Sequence, residues 1–272
     1  MRQPTARFLA VWALVCALGL VWPGLAQAGR SCEAHQLTTR ALDSGLAMAE
    51  KTRQALEASG ERVVLLARAG QDLSKYKLRF SHFGFAYREP DGVGGARWRV
   101  VHKLNGCGSA EADIWRQGLG EFFLDDPWKY EAAWVALQPE LQERLLPLLL
   151  DDVRVLLMQH RAYNMLAYPW SLRYQQSNQW ALETLAAAIE PGVTSREKAQ
   201  AWLQFKGYQP TTLTIGALTR LGARATAANV AFDDHPNEKR FSDRIETVTV
   251  DSVFAWLQRS GLGKAMVELR LQ

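Results

Sequence analysis

The chain has 272 residues, 48% of them hydrophobic, 22% charged and 10% aromatic. That composition supports a sizeable core in one or two domains and excludes a disordered chain, a collagen-like repeat and a disulfide-dense miniprotein. Its 32 Lys and Arg against 28 Asp and Glu leave a formal charge of +4, too even to point to a polyanionic partner such as nucleic acid.

Residues 1–28 carry Arg2 and Arg7, an apolar run from Phe8 to Trp22, the breakers Pro23 and Gly24, and Ala26-Gln27-Ala28. This is the layout of a secretory signal peptide cut after Ala28, with an uncleaved N-terminal anchor as the competing reading. The expected mature chain, residues 29–272, is periplasmic or secreted. It keeps 30 Lys and Arg against 28 Asp and Glu, and no later stretch is long and apolar enough for a stable membrane span.

Cleavage also removes Cys16, leaving Cys32 and Cys107. In an oxidising compartment the expectation is one disulfide between them, stabilising by about 4 kcal/mol on the chain-entropy account. Gly29-Arg30-Ser31 before Cys32 is not a lipobox.

Along the mature chain, Leu37, Leu42, Leu46 and Met48 share one face of a helix expected over 33–59, ended by Gly60. Strand-like runs follow at 63–67, 79–87 and 97–104. The last two flank the loop from Glu89 to Ala96 and are expected to form an antiparallel hairpin. Beyond Asn105 the reading turns helical. An amphipathic segment covers 110–119, Phe122 and Phe123 form an anchor, and a long apolar stretch runs from Glu140 to Met158 with Pro139 and Pro147. An extended aromatic segment spans 163–174, a helix opens near Ser177 and stops before Pro191, and Thr194 with Glu197 forms a capping box for a helix to Phe205. A weaker helix at 211–221, a strand at 245–250 and a short helix at 252–259 complete an α+β protein.

All five histidines lie in the mature chain: His35, His82, His102, His160 and His235. Strand alternation puts His82 on one face with Phe80, Gly84 and Ala86, and His102 on one face with Trp98, Val100 and Leu104, with Arg97, Arg99 and Lys103 pointing the other way. A hairpin symmetric about Gly92 pairs Tyr87 with Arg97 and so brings His82 opposite His102, with Gly84 leaving open space beside them. Two histidines satisfied by local hydrogen bonds inside a core are the plainer alternative. No Asp, Glu or Cys stands at ligand spacing on these strands, so no metal and no cofactor is expected. Asp233-Asp234-His235-Pro236 reads as a turn.

A nucleophile for such a pair has to come from elsewhere. Ser177, in Gln176-Ser177-Asn178-Gln179-Trp180, sits at a helix start, where unpaired N–H groups and the helix dipole favour an oxyanion. Ser is also a preferred N-cap, so simple capping stands beside this reading. Cys107 is the other candidate nucleophile, although pairing with Cys32 is the simpler fate.

The order His82, His102 and then a helix opening on a polar nucleophile resembles the circularly permuted branch of the papain-like NlpC/P60 superfamily, which includes the lecithin:retinol acyltransferase-like proteins. The runs Ser81 to Ala86, His102 to Asn105 and Ser177 to Trp180 more closely resemble an uncharacterised exported proteobacterial family, domain of unknown function 2145. The resemblance implies a papain-like small antiparallel sheet packed against several helices, in one domain over 29–272 with helical insertions. It makes His82 the general base, His102 its orienting partner and Ser177 the occupant of the usual Cys position, with Gln176 in place of Asn and Trp180 at the aromatic position. A hydroxyl does not ionise as a thiol does and needs its base throughout the attack.

The expected function is an exported hydrolase or acyltransferase. Ser177 attacks an amide or ester, N–H groups near Ser177 and Asn178 form the oxyanion hole, and Tyr168, Trp170 and Tyr174 line a groove. Superfamily and compartment suggest cell-wall peptide or lipid as substrate. The alternative is a non-catalytic cell-envelope binding or assembly module of the same fold.

Overall fold

The computed structural model describes residues 37–125 and 127–271; the expected signal peptide over 1–28 and Cys32 lie outside the described residues. Helix α1 (Thr39–Ser59) starts where the Thr38 side chain accepts the Ala41 N–H, and stops at Gly60, whose φ of 70° suits a residue without a Cβ. It buries Met48, Thr52 and Leu56, one residue per turn on a single face.

Strands β1 (Val63–Ala69), β2 (His82–Pro90) and β3 (Ala96–Asn105) follow, then β4 (Ala112–Gly118), the short helix α2 (Leu119–Leu124) and β5 (Lys129–Ala136). With the late strand β8 (Val267–Arg270) they form a six-stranded antiparallel sheet in the order β4-β3-β2-β1-β5-β8. Every residue of β1 is buried, so the sheet is covered on both faces. Val64, Leu66, Ala86, Val100 and Trp134 meet α1 and α2 on one side. On the other side Leu65, Phe83, Phe85 and Val101 meet α3 (Pro139–Leu150), α4 (Ser177–Ile189), α5 (Arg196–Phe205) and a helix near the C-terminus.

A two-stranded ribbon, β6 (Thr211–Thr214) with β7 (Arg244–Thr247), carries α6 (Ala217–Thr226) and α7 (Asn237–Phe241) and has its own small core of Leu213, Ile215, Val230, Phe232 and Ile245. Helix α8 (Val250–Arg259) is the C-terminal helix of the larger layer and opens on a Thr249–Ser252 capping box.

The mixed α+β architecture, an antiparallel sheet packed against helices, agrees with the sequence reading. Several elements differ. Residues 112–118 form a strand rather than part of an amphipathic helix, and the segment read as helical over 211–221 splits into β6 and α6. Strands β5 and β8 carry no signal that was read from the sequence. The N-cap of α5 is Ser195, which accepts the Lys198 N–H, one residue after the expected Thr194.

Candidate functional site

The hairpin of β2 and β3 forms with a register two residues from the symmetric one. Tyr87 pairs with Arg99, not Arg97. A shift of two keeps every side chain on its expected face. Gly84 therefore stands abreast of His102, and a Cβ on Gly84 would lie 2.7 Å from the His102 Cβ. The missing side chain is what lets the His102 ring lean along the sheet to its diagonal neighbour, and His82 Nε2 lies 2.8 Å from His102 Nδ1. His102 Nε2 lies 2.9 Å from Gln117 Oε1 on β4. With that oxygen accepting, His102 carries its proton on Nε2 and accepts the His82 Nε2–H at Nδ1.

Phe122 of α2 roofs the pair, its ring centroid 5.4 Å from that of His102 and 6.1 Å from that of His82. Arg68 lies over the Phe122 ring, 4.8 Å from its centroid, and binds the Phe122 carbonyl and the Asp125 carboxylate. Burial, reinforced by the Arg68 charge, lowers the His102 pKa to about 3 against the opposing pull of Gln117, so His102 is neutral.

Ser177 lies on the other side of the sheet. Helix α4 packs Trp180 edge-on against Phe85, 5.9 Å between centroids, in the layer opposite Phe122 and the histidines. Ser177 lies near enough to the buried Tyr163 phenol to offset part of the upward push that burial gives its pKa. The expected Ser177–His82–His102 triad is therefore not assembled: β2 sends His82 and Phe83 to opposite faces, and α4 follows Phe83. The expected oxyanion hole fails on a separate ground, because the Asn178 N–H is taken by the side chain of Gln176, the true N-cap.

Asn178 has a structural task instead. The β2–β3 ladder ends at Phe85 and Val101. Beyond that point Asn178 Oδ1 accepts the Phe83 N–H at 3.1 Å and Nδ2 donates to the Ser81 carbonyl at 3.2 Å. The side chain thus supplies hydrogen bonds the neighbouring strand no longer gives.

The chain from residue 55 to residue 257 matches the family described as an uncharacterized protein conserved in bacteria, DUF2145. The chain belongs to that family. No curated protein and no solved structure matches it.

The second polar cluster of this DUF2145 protein was not read from its sequence. Lys103, on β3 next to His102, points into the α4 layer and is fully buried; the face it was expected to take is a second interior. Its ammonium donates to the His160 carbonyl and to Gln175 Oε1. Gln175 passes the connection to Glu183, which also accepts from Gln179, Arg196 and Gln200. Burial lowers the Lys103 pKa to about 7, with Arg196 adding to the shift and Glu183 opposing it. The one available signal was the run Gln175, Gln176, Gln179 and Glu183 on and just before a helix whose first ten residues are buried all round.

The aromatics assigned to a groove in this DUF2145 chain do not line one together. Tyr168 packs 5.1 Å from His235, Trp170 sits edge-on to Tyr208 at 6.0 Å, and Tyr174 lies under Arg173. His235 is buried in the expected turn, with Nδ1 3.0 Å from Asp234 and Nε2 2.9 Å from the Glu246 carbonyl. Cys107 occupies the exposed turn between β3 and β4, while its expected partner Cys32 is outside the described residues.

Among the described residues no group of three or more His, Cys, Asp or Glu is placed to hold a metal ion, and no helix is long and apolar enough to cross a membrane.

The strip of sheet beyond α2 also escaped the sequence reading. Trp115 of β4 pairs with His102 in register and is 53% exposed. Alternation puts Asp113 and Gln117 on its two sides along the same face.

Proposed function

We propose that this protein is a non-catalytic binding module of the cell envelope, an exported relative of the permuted papain-like NlpC/P60 proteins that keeps their histidine strands and buried helix without a working nucleophile. The observation that carries this reading is the separation of Ser177 from the histidine pair by the thickness of the sheet. Acyl transfer requires the base within hydrogen-bond reach of the nucleophile. The order of His82, His102 and the helix-opening Ser177 supports the family relationship, and the layout of residues 1–28 supports export.

The strip of Asp113, Trp115 and Gln117 beside the histidines is the recognition surface in this reading. An indole flanked by hydrogen-bonding groups gives both contact area and orientation to a cell-wall peptide or lipid headgroup.

The test is labelling of the purified protein with a fluorophosphonate serine probe, with Ser177→Ala and His82→Ala as controls. The expected result is the same background in all three. Labelling of the wild type that both substitutions abolish would overturn the reading and restore the Ser hydrolase or acyltransferase. Binding is measured by co-sedimentation with isolated cell-wall sacculi and with lipid vesicles, where Trp115→Ala is expected to lower the bound fraction at least several-fold.

A further inference from the structure

We propose that the outward face of α6, together with Phe241 of α7, docks the protein on an anionic lipid bilayer. None of the ten residues of α6 is buried. Its inner side, through Ala223, only leans on the small β6–β7 core. Leu218 and Leu221, three residues apart and so on one face, are 85% and 69% exposed, and Phe241 is 71% exposed. Large apolar side chains this bare, on two helices joined through Asp243, mark an interaction surface.

The start of α6 and the end of α7 are tied together at Asp243. The Ile215 N–H donates to the Asp243 carbonyl, and Arg220 binds both the Ile215 carbonyl and the Asp243 carboxylate. Phe241 is two residues before that anchor and Arg244 one after it.

The charge around the apolar side chains chooses the partner. Helix α6 carries Arg220 and Arg224 and no acidic residue. Arg220 is paired with Asp243 and Lys239 with Glu246. Among the described residues Arg224, Arg240 and Arg244 make no ion pair. Arg240 bonds Asn237 and stacks over the Phe241 ring at 4.8 Å, so a cation sits at the aromatic tip. Glu238 is the one exposed acid on these two helices.

Leucine and phenylalanine tips accompanied by guanidinium groups that make no ion pair match the layering of an anionic membrane surface, with phosphates outside and acyl chains beneath. One short helix presents a ridge of separate side chains, which lipid headgroups part around. A protein partner would need a cleft shaped to fit it.

The test is flotation of the purified protein with vesicles of phosphatidylglycerol and phosphatidylcholine, and with vesicles of phosphatidylcholine alone. The expected result is binding to the anionic vesicles that falls at least tenfold in the Leu218→Asp/Leu221→Asp variant and weakens with salt. Phe241→Asp, and separately Arg224→Gln with Arg244→Gln, should each weaken it several-fold while circular dichroism shows an unchanged fold. Absence of anionic-vesicle binding by the wild type would overturn the proposal, as would equal binding by folded variants. Concentration-dependent dimerisation lost in the leucine variant, without vesicle binding, would also overturn it and reassign the face to self-association. The sacculus co-sedimentation and the serine probe read the site beside the histidines, and Trp115→Ala should leave flotation with anionic vesicles unchanged if α6 carries it, so failure here is distinguishable from failure of the proposed function.

Discussion

His82 and His102 share a 2.8 Å hydrogen bond at a point where the Gly84 main chain packs so closely on His102 that no side chain fits, and the open space expected beside the pair is filled. A methyl group at Gly84 would lie 2.7 Å from the His102 Cβ, 2.8 Å from the Val101 carbonyl oxygen and 3.1 Å from Val100. Two of these neighbours are main chain or next to it and cannot swing aside. Gly84→Ala should therefore cost about 1–3 kcal/mol, the range for overpacking a filled interior. Chemical denaturation measures the loss, and imidazole NMR resonances should show the histidine pair displaced.

Acid should weaken the fold through His102. Burial and Arg68 hold its pKa at about 3, whereas the unfolded chain titrates near the ordinary value of 6.5. Between these values the unfolded state binds the extra proton, so stability falls as pH drops from about 6.5 toward 3. Urea midpoints across that range should decline in the wild type and decline less steeply in His102→Gln.

Lys103 predicts a slope on the alkaline side. Its pKa in the folded protein is about 7 against 10.5 for the free side chain. Between these values the unfolded state again holds more protons, so this group makes stability rise with pH from about 7 to 10.5. Lys103→Met, which removes the titration but keeps the length of the chain, should flatten that rise in the same denaturation series.

Asn178 and Ser177 are neighbours with unequal roles. Asn178→Ala leaves the Phe83 N–H and the Ser81 carbonyl without their partner and should cost at least about 2 kcal/mol. Ser177→Ala removes a hydroxyl that does not cap the helix, since Gln176 does, and should cost at most about 1 kcal/mol. The ordering of the two denaturation midpoints checks the assignment, since a nucleophile backed by a structural neighbour would show the reverse sensitivity in any activity assay.

Local pattern was enough for much of this chain. Period-two alternation identified β2 and β3 and the faces of His82 and His102, and Gly60 identified the end of α1, because these signals depend only on backbone geometry and neighbouring residues; the face read from Leu37, Leu42 and Leu46 is exposed, and α1 buries Met48, Thr52 and Leu56 instead. The histidine pair was legible for the same reason, and it survived a two-residue error in register because such a slip preserves the face. Tertiary structure decided the rest. The sheet is covered on both sides, so residues 112–118, with both faces partly buried, lost the contrast that would have identified a strand, and Lys103 turned into a second interior instead of solvent. Which layer receives α4 is set by long-range packing of Trp180 on Phe85, and no spacing along the chain records it; that packing, not the presence of His82, His102 and Ser177, separates the hydroxyl from the imidazoles.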